Sequence, residues 1–180
     1  MLFRRAPHPI EAEIPRLRRF ALALTRDRET ADDLVQDCIA RALAAWGTRR
    51  GDDAALRPWL FTILHNRWRN RQQREWARPD RVSLEDAGEG PETSGGQWER
   101  LALRDLDSAL ARLSEEQRSL LLLVGVEGLS YEEAARVQGI PVGTVMSRLA
   151  RARDRLRQLL DGAPPRASEG GGPVHLRRVK

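Results

Sequence analysis

Thr144, Ser147, Arg148, Arg151 and Arg155 fall on one stripe of a helix when successive residues are turned by about 100°. Hydroxyls followed by guanidinium groups can hydrogen-bond to phosphates and to base edges. Gly143, Thr144 and Ser147 stand at the entry to that helix, small enough for its backbone to approach a duplex closely. Val145, Leu149, Ala152, Leu156 and Leu160 occupy a second stripe suited to packing. A shorter helix precedes it, opened by Ser130 and Glu133 in capping-box spacing and broken by Gly139, Ile140 and Pro141. Two helices joined by so tight a turn read as a helix-turn-helix, the second helix lying on DNA. The competing reading is a solvated arginine face, which is common on amphipathic helices.

A second basic segment lies far upstream. Residues 57–78 hold six arginines and one glutamate, and residues 142–160 hold five arginines and one aspartate. Residues 27–37 reverse the balance, with five acids and one arginine. Two basic segments imply two places of contact with nucleic acid, and the acidic ridge implies a partner of another kind. The whole chain has a net charge of +5, and Lys180 is its only lysine. His8, His65 and His175 have neither metal-ligand spacing nor an adjacent nucleophile, so an enzyme, a metal and a cofactor are not expected. Cys38 is the sole cysteine and sits on an apolar helical stripe, as a packing residue would.

The elements that must position these groups are helices. Apolar residues recur at helical spacing nearly throughout, predicting an all-α fold of two small domains. Helices are expected over 15–24, over 28–46 behind an Asp27 cap, and over 54–76. Residues 78–97 combine glycine, proline and five acids, reading as a flexible linker. Helical spacing resumes at Trp98, with a further capping box at Ser114 and Gln117, and ends near Leu160. The domains are therefore expected at 10–77 and 98–161, with a disordered tail over 162–180. Residues 1–13 lack the apolar run of a signal peptide and no later run reaches membrane-spanning length, so a cytoplasmic protein without membrane insertion is expected.

Three segments together resemble one family. DDLVQDCIARAL (32–43), RPWLFTILHNRWRNRQQR (57–74) and LSYEEAARVQGIPVGTVMSRLARAR (129–153) are similar to the extracytoplasmic-function sigma factors of bacteria, in that family's order and spacing. The resemblance implies a region 2 domain and a region 4 domain, and as partners core RNA polymerase, promoter DNA and an anti-sigma factor. It implies polymerase docking through Asp33, Leu34, Gln36, Asp37 and Arg41, with Leu34 and Val35 packing behind the polar face.

The third helix resembles regions 2.3 and 2.4, where the melted −10 strand is held by aromatic surfaces, polar groups and arginines. Trp59, Phe61, Asn66, Arg67, Trp68, Asn70, Arg71 and Arg74 are the residues so implied. Trp59 is expected in the core more than as a base platform, and Phe61 and Trp68 on a different face from Asn66. The helix-turn-helix resembles region 4.2, implying that Thr144, Ser147, Arg148, Arg151 and Arg155 read the −35 groove with Val142 and Gly143 near a phosphate. Met146, His65 and Asn70 depart from the family's common residues, which bears on promoter preference. Two rival readings remain: a sigma-like decoy for an anti-sigma factor, and a one-component helix-turn-helix regulator.

Overall fold

The computed structural model describes residues 8–49, 52–76 and 97–161. The expected linker and tail lie outside these residues, apart from Gln97. Helix α1 (Ile14–Thr25) follows a short 3-10 turn and is succeeded by α2 (Arg28–Ala44) and α3 (Leu56–Trp76). The second lobe holds α4 (Gln97–Ala111), α5 (Glu115–Leu121), α6 (Tyr131–Gln138) and α7 (Val142–Asp161). Among the described residues there is no strand.

Local chemistry sets most boundaries. Asp27 accepts a hydrogen bond from the Thr30 backbone N–H at 2.7 Å, capping α2. The hydrogen bonds from Thr30 hold the Asp27 carboxyl below its ordinary pKa. Both expected capping boxes are present, Ser114 with Gln117 and Ser130 with Glu133. At the end of α6, Gly139 takes φ +67° and Ile140 N–H donates to the Ala135 carbonyl at 3.1 Å. That six-to-one bond with a left-handed glycine is a Schellman stop, and it turns the chain directly into α7. α5 ends differently, in a π-turn over Leu122–Val126 closed by Glu127 N–H on the Leu122 carbonyl at 2.9 Å.

In the first lobe α2 packs on α1 and α3. Leu17, Phe20, Leu24, Leu34, Val35, Cys38, Leu60, Phe61, Leu64 and Trp68 supply its interior. Phe20 and Phe61 meet edge to face with centroids 5.0 Å apart. Cys38 is fully buried, and burial pushes its thiol up to about 12, so it packs as a small apolar group. In the second lobe α4, α5 and α6 pack around α7, whose Val145, Leu149 and Ala152 are buried.

The lobes do not stand apart. α3 packs on α6, and α1 on α5 and its π-turn. Buried apolar side chains of both lobes join in one cluster.

Candidate nucleic-acid interface

On α7, Ser147 and Arg151 are exposed while Thr144, Arg148 and Arg155 are half-buried. Ser147 Oγ donates to the Thr144 carbonyl at 3.1 Å, and Arg151 Nε donates to the Ser147 carbonyl at 3.2 Å. The Arg151 guanidinium is thus laid along its own helix, held only by exposed bonds that a phosphate can replace. Gly143 would meet nothing within 4 Å if it carried a Cβ. A helical glycine costs about 1 kcal/mol relative to alanine, and here no internal crowding asks for it. Open space at this entry position leaves the α7 backbone approachable from outside. Leu156 is half-buried and Leu160 is 46 % exposed, so the packing stripe of α7 fades toward its end.

The second basic segment forms a cleft rather than a ridge. Trp59, Ile63, Asn66, Arg67 and Asn70 of α3 face Arg41, Ala44, Ala45 and Thr48 across an open space of about 630 Å³. Asn66 and Asn70 are exposed, and Trp59 is half-buried beside them. The Arg49 guanidinium lies over the rings of Trp46 at 5.2 Å and Trp59 at 5.9 Å. An aromatic wall, two carboxamides and several guanidinium groups suit an unstacked base and its phosphate.

Trp59 is half-buried against the core, as expected, and also lines the cleft with Asn66, seven residues away on the same helix face. Two other expectations about this segment change. Phe61 and Trp68 are 0 % and 3 % exposed, enclosed in the first lobe, so neither offers a ring to DNA here. Arg67 is ion-paired with Asp37 of α2 across the cleft edge, so its charge is shared with the ridge. His65 is also buried, with its ring 5.5 Å from Trp68, and desolvation together with nearby Arg69 lowers its pKa to about 4. Arg71 Nη2 donates to Thr30 Oγ1 at 3.3 Å, and Arg74 is exposed.

On α2, Asp33, Gln36, Asp37 and Arg41 are exposed, forming a continuous polar ridge. Leu34 is buried with Val35, so it supports that ridge from behind and is not available for docking. Leu43, which periodicity places on the buried stripe, is 50 % exposed. It follows Gln36 and Ala40 at helical spacing, adding an apolar end to the ridge.

Comparison with known proteins decides what these surfaces belong to. Residues 103–156 match the family model for sigma-70 region 4, and residues 10–65 match that for the Sigma2 domain of PhyR. The chain is 40 % identical over 160 residues to the ECF RNA polymerase sigma factor EcfG of Rhodopseudomonas palustris, covering 86 % of this chain and 85 % of that protein. The chain belongs to the extracytoplasmic-function RNA polymerase sigma factors.

The sigma factor SigM of Mycobacterium tuberculosis is a second relative, 38 % identical over 80 % of this chain and 71 % of its own. Among solved structures, RpoE of Bartonella quintana in complex with the anti-sigma factor NepR aligns with a TM-score of 0.73 at 37 % identity, covering 84 % of this chain and 94 % of that one. CnrH in complex with the cytosolic domain of CnrY gives a TM-score of 0.61 at 28 % identity, with 85 % of each chain covered. As a member of this family the chain is an alternative sigma factor, which binds core RNA polymerase and directs it to promoters. Sigma factors are not enzymes. Among the described residues no helix is long and apolar enough to cross a membrane.

Proposed function

We propose that this sigma factor divides its work among the three surfaces. The α2 ridge of Asp33, Gln36, Asp37 and Arg41, ending in exposed Leu43, docks on core polymerase. The cleft of Trp59, Asn66 and Asn70 takes a base of the melted −10 strand, with Arg71 and Arg74 following its backbone. Thr144, Ser147, Arg148, Arg151 and Arg155 read the −35 duplex, while the backbone at Val142 and Gly143 meets a phosphate. The observation that carries this division is the cleft itself: an aromatic wall beside two exposed asparagines, on a lobe separate from the helix-turn-helix. A one-component regulator needs no such cleft, and a decoy has no use for the open arginine face of α7.

Control by an anti-sigma factor of the NepR kind is part of the same reading. Its support is the likeness to RpoE, which was solved with NepR bound. A polymerase partner also places the working protein in the cytoplasm. Reconstituted transcription with core polymerase and genomic promoter fragments tests the reading, and specific initiation that needs both components is the expected result. Asp33→Arg with Asp37→Arg should weaken core binding at least about tenfold, through loss of charge complementarity across the interface. Unchanged core affinity would remove α2 as the docking surface. Binding to DNA alone, with no effect of polymerase, would favour the one-component regulator.

A further inference from the structure

The outermost face of α7 is turned away from its stripe of hydroxyls and arginines, sharing Ser147 with it. At about 100° per residue, Gly143, Met146, Ser147 and Ala150 fall within about 100° of one another, and all four are exposed. Thr144, Arg148 and Arg155 lie roughly a third of a turn away and are half-buried. Met146 is one of four large apolar side chains exposed among the described residues, at 53 %. A single exposed apolar side chain is ordinary on a protein surface. The setting of Met146 is not. It stands in the second turn of α7, the one bulky group on a strip otherwise made of Gly143, Ser147 and Ala150. No acid occurs on α7 before Asp154. The opposite side of the helix is the packed one, resting on α4, α5 and α6.

A helix lying in the major groove meets base edges with its outermost residues, and the two phosphate walls with those on its flanks. α7 is built in that order. By helical spacing Arg148 and Arg151 flank the strip on one side, and Arg153 and Arg157 on the other. Arg157 Nη1 donates to Asp154 Oδ1 at 3.4 Å, a bond between two exposed groups that a phosphate can replace. A Cβ on Gly143 would meet nothing within 4 Å, so the strip is open to the outside there. Small side chains let the helix axis come close to the duplex, and Met146 then projects deepest. The apolar group that the major groove presents is the C5-methyl of thymine. A thioether side chain, flexible and polarizable, packs on a methyl group without needing one fixed geometry. A protein partner fits this strip less well, since its small residues offer little area to bury and the arginines on both flanks favour a polyanion.

We infer that Met146 reads a thymine of the −35 element by packing on its methyl group, with Gly143 and Ala150 giving the clearance, so that an apolar contact sets part of the promoter preference. This rests on the assignment of α7 to the −35 duplex. Covering one methyl group is worth about a fourfold change in affinity. Phosphate contacts from the flanks hold the helix in register without carrying sequence information. They also weaken as salt rises, whereas burial of a methyl group does not.

The test uses holoenzyme reconstituted from the full chain and core polymerase, on promoter duplexes in which each −35 thymine of either strand is replaced singly by deoxyuridine. That change removes the methyl group and keeps the base pair. Wild-type holoenzyme should lose about fourfold in affinity at one such thymine. Met146→Ala should bind the unmodified promoter about fourfold more weakly and be indifferent to the same replacement, and Met146→Leu should restore the discrimination. Met146 is exposed, so alanine there leaves no cavity, and circular dichroism verifies retained helix. A −35 element without thymine, indifference of the wild type to every replacement, or an equal loss in Met146→Ala overturns the inference. Reduced core affinity of Met146→Ala with methyl discrimination intact overturns it too, and makes the strip a protein-docking surface. Scrambling the whole −35 element separates the two levels. A promoter that tolerates scrambling removes α7 from the −35 duplex altogether, whereas sensitivity to scrambling without a methyl effect removes Met146 alone.

Discussion

At the residue scale, exposure decides which side chains can act. Arg148 and Arg151 sit on the open face of α7, and Arg151 is held only by bonds to Ser147. Each good base contact is worth about 1–3 kcal/mol in discrimination. Arg148→Ala with Arg151→Ala should therefore reduce transcription from −35-dependent promoters by tenfold or more while core binding survives; run-off transcription beside a core-binding assay separates the two. His65 acts through burial instead. Its folded pKa of about 4 lies below the ordinary 6.5, so the unfolded chain binds the proton more strongly between those values. Stability is fully kept above about pH 6.5 and declines as pH falls toward 4, by about 3 kcal/mol from this group. Urea unfolding across that range should show the decline, and His65→Leu should flatten it; an unchanged profile in the variant would assign the acid sensitivity elsewhere.

At the element scale, the helix-turn-helix depends on its stops and starts more than on its propensities. α6 spans Tyr131–Gln138, too short to persist alone, and is fixed by the Ser130 and Glu133 box and the Gly139 stop. Ser130→Ala should cost about 1 kcal/mol, read as a shifted denaturation midpoint with unchanged slope. These features were legible in the sequence because each is an interaction among residues within five positions of one another. The faces of α2 and α3 were harder. Leu43 and Trp59 fit an apolar stripe, yet one is exposed and the other lines the cleft. Periodicity identifies a stripe, whereas the neighbouring helix determines how much of it is covered.

At the scale of the whole molecule, the shared core of the two lobes makes their unfolding a joint event. Heating the wild type should give one transition by calorimetry, coincident with loss of helix. Two transitions already in the wild type would mean that the lobes are thermodynamically independent.

By itself the sequence determined the helical class, the caps, the turn before α7, the two basic segments and the acidic ridge, since all of these reside in local spacing and charge. Only the tertiary structure decided that Phe61 and Trp68 are interior, that Trp59 joins Asn66 and Asn70 at a cleft, and that Arg67 pairs with Asp37. It also brought Arg19 to Glu127 from 108 positions away. The physical reason is common to all four. Burial and ion pairing are set by what another helix brings near, and helical periodicity carries no record of which helix that will be.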